Sequence, residues 1–157
     1  MEDSLTPVSL EAVAHQLLSA VAATRTLSDD LLVSLSLIFK HGLLQQALDI
    51  VDRKCITRMK CPANRVFYQV AGSAGRFYIC LPDSNYCSCM SYVFSVLKSE
   101  SSYCKHVLAV KLADALAQCL EQDIDDTQYL TMLCASELNE TGQPLGQQAA
   151  GPSSVRA

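Results

Sequence analysis

Four residues constrain what this chain can fold into: Cys87 and Cys89, then Cys104 and His106. They form a C-x-C pair, fourteen intervening residues and a C-x-H pair. Three thiolates and one imidazole are a donor set that closes a tetrahedral structural zinc site and leaves no coordination position for a substrate. Such a set points to a folded recognition module rather than a hydrolytic metal centre. On an extended strand side chains repeat with period two, so Cys87 and Cys89 leave the backbone on the same side and can chelate one ion without a tight turn. The second pair is followed by an apolar helical pattern of Val107, Leu108, Val110, Leu112, Ala113 and Leu116. This places His106 in the first turn of a helix with Cys104 just before it. The positive end of a helix favours a nearby thiolate.

The other five cysteines, Cys55, Cys61, Cys80, Cys119 and Cys134, have no second metal spacing. They read as small buried hydrophobes, with Cys119 continuing the apolar stripe of the helix after His106. The start Met1-Glu2-Asp3 is acidic and has neither the charge nor the apolar run of a signal peptide. A reducing, intracellular compartment without a disulfide framework is therefore expected. In that setting the acceptor pattern Asn139-Glu140-Thr141 is accidental. No apolar run approaches the length of a membrane span, so no membrane association is expected.

At 157 residues the chain is one domain, or one small domain with helical extensions, and half of its residues are hydrophobic. The formal net charge of -4 hides an asymmetry. Residues 1–52 carry seven acids and two bases, residues 53–111 nine bases and two acids, and residues 112–157 seven acids and one base. The segment with the four candidate ligands is thus basic between acidic flanks, and a zinc ion bound by three thiolates subtracts only about one charge from it.

The expected class is α+β: N-terminal helices, a three-stranded antiparallel meander, the zinc-binding segment and C-terminal helices. The boundaries read as a flexible start over 1–9, a helical region over 10–52, the zinc-binding region over 53–121, a C-terminal helix over 122–138 and a disordered tail over 139–157. Leu10, Val13, Ala14, Leu17, Leu18 and Val21 recur at helical spacing. Ser28-Asp29-Asp30 is an N-cap signal for a second helix, with Gly42 as its stop and His41 near its C-terminus. A third helix runs through Leu43, Leu44, Ala47, Leu48 and Val51. Lys54 to Lys60, Arg65 to Ala71 and Arg76 to Leu81 read as strands, separated by Pro62-Ala63-Asn64 and Gly72-Ser73-Ala74-Gly75. Val93, Phe94 and Leu97 suggest a short helix, and the serine-rich stretch from Lys98 to Tyr103 a loop. Asp125-Asp126 caps a last helix through Tyr129, Leu130, Leu133 and Leu138.

On the first strand Lys54, Arg58 and Lys60 share one face, because side chains alternate, and they are the leading candidates for nucleic-acid contact. Arg65 and Arg76 open the next two strands, and Phe67, Tyr68, Phe77, Tyr78, Tyr86, Tyr92 and Tyr103 are interleaved with the bases. Basic groups beside stackable rings suit single-stranded nucleic acid. The same residues also read as a solvated charged face over an aromatic core. Overall acidity argues against strong autonomous binding, because affinity comes mainly from phosphate neutralisation. No Walker A loop, G-x-G-x-x-G or H-E-x-x-H is present, and a metal-bound His106 is not free as a general base, so no enzyme is expected.

The motif Cys87-x-Cys89…Cys104-x-His106 resembles the SWIM zinc finger. The stretches Ala47-Leu48-Asp49-Ile50-Val51-Asp52-Arg53, Tyr86-Cys87-Ser88-Cys89 and Tyr103-Cys104-Lys105-His106-Val107-Leu108-Ala109-Val110 are similar to the small SWIM subunits of Shu recombination complexes. The resemblance covers about residues 10–138. It implies a zinc ion on Cys87, Cys89, Cys104 and His106. It also implies a nuclear, non-enzymatic role in homologous recombination, with a RecA-like ATPase-related subunit as partner and support for recombinase assembly on single-stranded DNA. A general protein-interaction zinc module, such as an adaptor in a ubiquitin or transcription assembly, is the alternative.

Overall fold

In the computed structural model, which describes residues 9–72, 75–96 and 103–135, five strands form one sheet in a mixed α and β chain. Two serines start the first two helices. Ser9 Oγ accepts the Ala12 N–H at 3.2 Å before α1 (Leu10–Thr24), and Ser28 Oγ accepts the Leu31 N–H at 3.4 Å before α2 (Asp29–Ile38). α1 buries Ala14, Leu18 and Val21, and α2 buries Leu35, all at helical spacing.

Gly42 is not the stop of α2. That helix ends at Ile38, Phe39 is extended and buried, and α3 (His41–Asp52) begins two residues later, with Gly42 in its first turn. Phe39 explains the break: its ring lies 5.7 Å from that of Tyr103, so packing draws the chain out of helical geometry. His41 consequently stands at the N-terminal, positive end of a helix rather than at a C-terminus.

β1 (Ile56–Lys60), β2 (Val66–Ala71) and β3 (Phe77–Leu81) pair antiparallel in sequence order. The first turn works as its residues suggest: Asn64 takes φ 57° and donates its N–H to the Cys61 carbonyl at 3.0 Å. β4 (Tyr86–Cys87) adds antiparallel to β3, and β5 (Leu120–Asp123) adds parallel to β1, giving the order β4-β3-β2-β1-β5. Between them runs α4 (Lys105–Ala115).

α4 ends where Ala117 takes φ 55°, with Gln118 donating to Ala113 O and Ala117 to Asp114 O. This is the paired bonding of a Schellman stop. Cys119 therefore lies beyond α4, in the link to β5, and not on the helix stripe. Cys134 is exposed, against the expectation of a buried thiol.

The alternation of the strands divides the core. Ile56, Tyr68, Val70 and Cys80 face α1 to α4 in the larger cluster. Met59, Cys61, Phe67 and Ile79 face the other way, against Ile124 and Tyr129. Tyr129 belongs to α5 (Asp126–Ala135), whose start is a reciprocal cap. Asp125 Oδ1 accepts from Gln128 N at 2.7 Å, and Gln128 Oε1 accepts from Asp125 N at 3.1 Å. α4 buries residues all round, His106, Val107, Leu108, Ala109, Val110 and Leu112 among them, as befits the helix at the centre of the larger core. The short helix after Cys89 is a π-helical turn, Tyr92–Val96. Leu97, the serine-rich loop up to residue 102, Leu138, residues 1–8 and the tail over 139–157 lie outside the described residues.

Candidate metal centre

Cys87 closes the short strand β4, and Ser88 continues its pairing, with its N–H and the Ile79 carbonyl 3.0 Å apart. The C-x-C pair does not lie on one continuous strand as its spacing suggests: Ser88 and Cys89 form a bend after β4, and Cys89 joins Cys87 in the cluster from that bend. Cys104 is the N-cap residue of α4: its Sγ accepts the Val107 N–H at 3.5 Å, and His106 sits in the first turn. The side chains of all four residues are buried, and their ligand atoms lie within 4.8 Å of one another. Cys87 Sγ is 3.7 Å from His106 Nδ1. Donors of a tetrahedral zinc site with bonds of about 2.0–2.3 Å stand roughly 3.3–3.8 Å apart, so the set is close to the required size. Among the described residues this is the one Cys/His group of that kind.

The electrostatics of the group call for a cation. Cys89 is held far below the ordinary thiol range, because the Cys104 and Cys87 thiols donate to its sulfur. Cys104 is pushed far above that range, first by its bond with Cys87, then by its bond with Cys89 and by burial. Three buried sulfurs cannot all ionise against one another. A dication among them removes that conflict, since a coordinating thiol is deprotonated outright. The donor chemistry therefore fits a zinc ion.

The basic residues are placed differently from expectation. Lys54 does not share a strand face with Arg58 and Lys60: it is an exposed turn residue at φ 51°, two positions before β1. Arg58 faces the helical layer, half-buried, with Nη1 3.6 Å from Glu121 Oε1. It lines a cavity of about 490 Å³ together with Tyr68, Lys111 and Asp114. Lys60 is exposed at the end of β1. Arg65 pairs with Asp126 at 3.0 Å, and Lys111 Nζ donates to the Pro82 carbonyl at 2.8 Å. Arg53, Lys54, Lys60 and Lys105 make no ion pair among the described residues.

The aromatic residues are largely structural. Phe67, Tyr68 and Tyr103 are buried, and Tyr86 meets Tyr92 edge-on at 5.3 Å. Tyr78 stacks on His106, centroids 4.3 Å apart at 23°. Tyr78, and Cys80 with its sulfur 3.6 Å from that of Cys87, are neighbours of the centre that spacing rules for ligands do not find. The signal available for them is the period of two on the strand preceding Cys87.

Comparison with known proteins yields consistent relatives. The chain is 42% identical over 131 residues to mouse zinc finger SWIM domain-containing protein 7, covering 80% of this chain and 86% of the relative. It is 41% identical over 138 residues to the human protein of that name, covering 85% and 98%. The Dictyostelium discoideum homolog is 39% identical over 116 residues, covering 73% and 74%. No protein-family model matches the chain. No solved structure matches it either.

Proposed function

The chain belongs to the family of zinc finger SWIM domain-containing protein 7, and from that premise we propose that it is a zinc-dependent, non-enzymatic subunit of a nuclear Shu-type recombination complex. One zinc ion is held by Cys87, Cys89, Cys104 and His106. The complex supports assembly of a RecA-family recombinase on single-stranded DNA, and a RecA-like ATPase-related subunit is the direct partner. The observation that carries the reading is the buried four-donor set, one donor at the end of β4, one in the bend that follows it and two at the start of α4. A metal there clamps the edge of the sheet to the central helix and leaves no open position for catalysis.

Phosphate contacts in the complex fall to the bases that remain uncommitted: Lys54 and Lys60 from the original expectation, joined by Arg53 and Lys105. Arg58 serves the sheet edge instead. The commitment of Arg58, Arg65 and Lys111 to internal partners also supports the second reading, a protein-interaction zinc module without nucleic-acid contact.

Affinity purification of the tagged chain from cells distinguishes the two. The first reading expects a RecA-like ATPase-related subunit in near-stoichiometric amount, lost with Cys87→Ser. Recovery of ubiquitin or transcription factors without such a subunit supports the second and overturns the first.

A further inference from the structure

The four candidate ligands come from β4, the bend after it and the start of α4, yet two of them are touched by strand β3. Strand β3 carries Tyr78 and Cys80 on one face, two residues apart. Cys80 stands directly opposite Cys87 in the antiparallel β3–β4 pair. The neighbouring residues Ile79 and Ser88 carry the ladder bond, Ser88 N–H to Ile79 O at 3.0 Å. Cys80 and Cys87 are therefore the non-hydrogen-bonded pair, in which facing side chains approach most closely. Their sulfurs are 3.6 Å apart, and Cys80 is fully buried.

Cys80 is not a fifth ligand: the group whose ligand atoms all lie within 4.8 Å of one another comprises the other four residues. It touches Cys87 from outside. Tyr78, on the same face, lays its ring along the imidazole of His106. Gly72 makes this possible, because a β-carbon there would meet Tyr78 Cε2 at 2.6 Å.

We propose that Tyr78 and Cys80 are positioning residues of the metal centre: the Cys80 thiol donates its S–H to the Cys87 thiolate, and Tyr78 fixes the ring plane of His106. The inference rests on the reading that the cluster holds zinc. A thiol is a weak donor, but a metal-bound thiolate is a charged acceptor, and charge-assisted bonds are the stronger ones. Partners of this kind orient ligands, and their loss typically costs about 10–100-fold in metal affinity. Y-x-C on the strand before the C-x-C pair then belongs to the metal site as much as the ligands do.

The test uses the full chain loaded with Co²⁺ and then titrated with Zn²⁺ against a chromophoric chelator. Cys80→Val removes the donor while adding about one methyl group of apolar volume, whereas Cys80→Ser keeps a donor. Tyr78→Leu removes the stacked ring, whereas Tyr78→Phe keeps it. Cys80→Val and Tyr78→Leu are expected to weaken zinc by about 10-fold or more. Cys80→Val should also shift the thiolate-to-cobalt charge-transfer band to lower energy, because an unbonded thiolate gives up its electron more easily. Cys80→Ser and Tyr78→Phe should stay near wild type in affinity.

Wild-type affinity in both disruptive variants, or weaker binding in Cys80→Val with an unmoved band, overturns the inference while leaving the zinc reading intact. A wild-type chain that takes up neither ion overturns both. Should Cys80→Val fail to fold, Cys80→Ser decides for Cys80: a wild-type band supports the donor role, and a band shifted to lower energy despite the retained hydroxyl overturns it.

Discussion

Cys87 Sγ and His106 Nδ1 lie 3.7 Å apart across nineteen residues of chain, one at the end of β4 and the other in the first turn of α4. Because α4 is the central helix of the larger core, a metal bound between these atoms is a core element and not an appendage. Binding of structural zinc to small fingers supplies about 10 kcal/mol or more. Chelation is therefore expected to abolish the cooperative thermal transition of the whole region from α1 to α4, read by circular dichroism. A chelated protein that keeps its wild-type melting curve would contradict this. Acid acts in the same direction: ligands must be deprotonated to bind, so zinc affinity falls as pH falls.

The hydroxyl of Tyr68 donates to Asp114 Oδ1 at 2.7 Å and ties β2 to α4. Burial, followed by the bond to Asp114, raises the Tyr68 pKa well above its ordinary value. Tyr68→Phe should cost about 1–2 kcal/mol in denaturant unfolding of the zinc-loaded chain. A folded pKa above the unfolded one means that the contribution is present in full below about pH 10 and is lost as pH rises from there toward the folded value. Equal stability of Tyr68→Phe and wild type at neutral pH would remove this bond from the account.

Asp125 and Gln128 begin α5, the element that covers the second sheet face. Asp125→Ala removes one half of a reciprocal cap and is expected to cost about 1 kcal/mol of stability. Zinc affinity should not change, since the metal centre lies in the other cluster. A loss of zinc affinity in Asp125→Ala would show that the two faces are coupled.

The gathering of Cys87, Cys89, Cys104 and His106 into one cluster was legible because ligand chemistry fixes spacing: a C-x-C pair and a C-x-H pair admit few backbone solutions. Ser28 marks its helix for a similar reason, since an N-cap oxygen answers a defined orphan N–H, whereas the Ser9 cap of α1 emerges only from the structure. Three further features were hidden. β5 reads Leu-Glu-Gln-Asp, exposed along its whole length, and only its backbone pairing with β1 makes it a strand. The stop before it uses Ala117 in a left-handed conformation where a glycine would have been the visible signal. Arg58 looked like a surface base until β5, with Glu121, arrived beside it.

The partition of the bases predicts a sharp contrast in the proposed complex. Replacing Arg53, Lys54 and Lys105 with Ala is expected to lower the slope of log affinity against log salt for single-stranded DNA by up to about 2, at about 0.7 per phosphate. Arg58→Ala should leave that slope unchanged, because its guanidinium already faces Glu121. Fluorescence anisotropy across a salt series reads both. A slope that drops for Arg58→Ala and not for the triple variant would reverse the assignment.

The central claim is that one ion occupies the four-donor cluster, and native mass spectrometry of the full chain with parallel metal analysis tests it most directly. The account predicts one zinc per chain, with none retained in Cys87→Ser or His106→Ala. A folded wild-type chain without zinc, or full zinc occupancy in both variants, would contradict it.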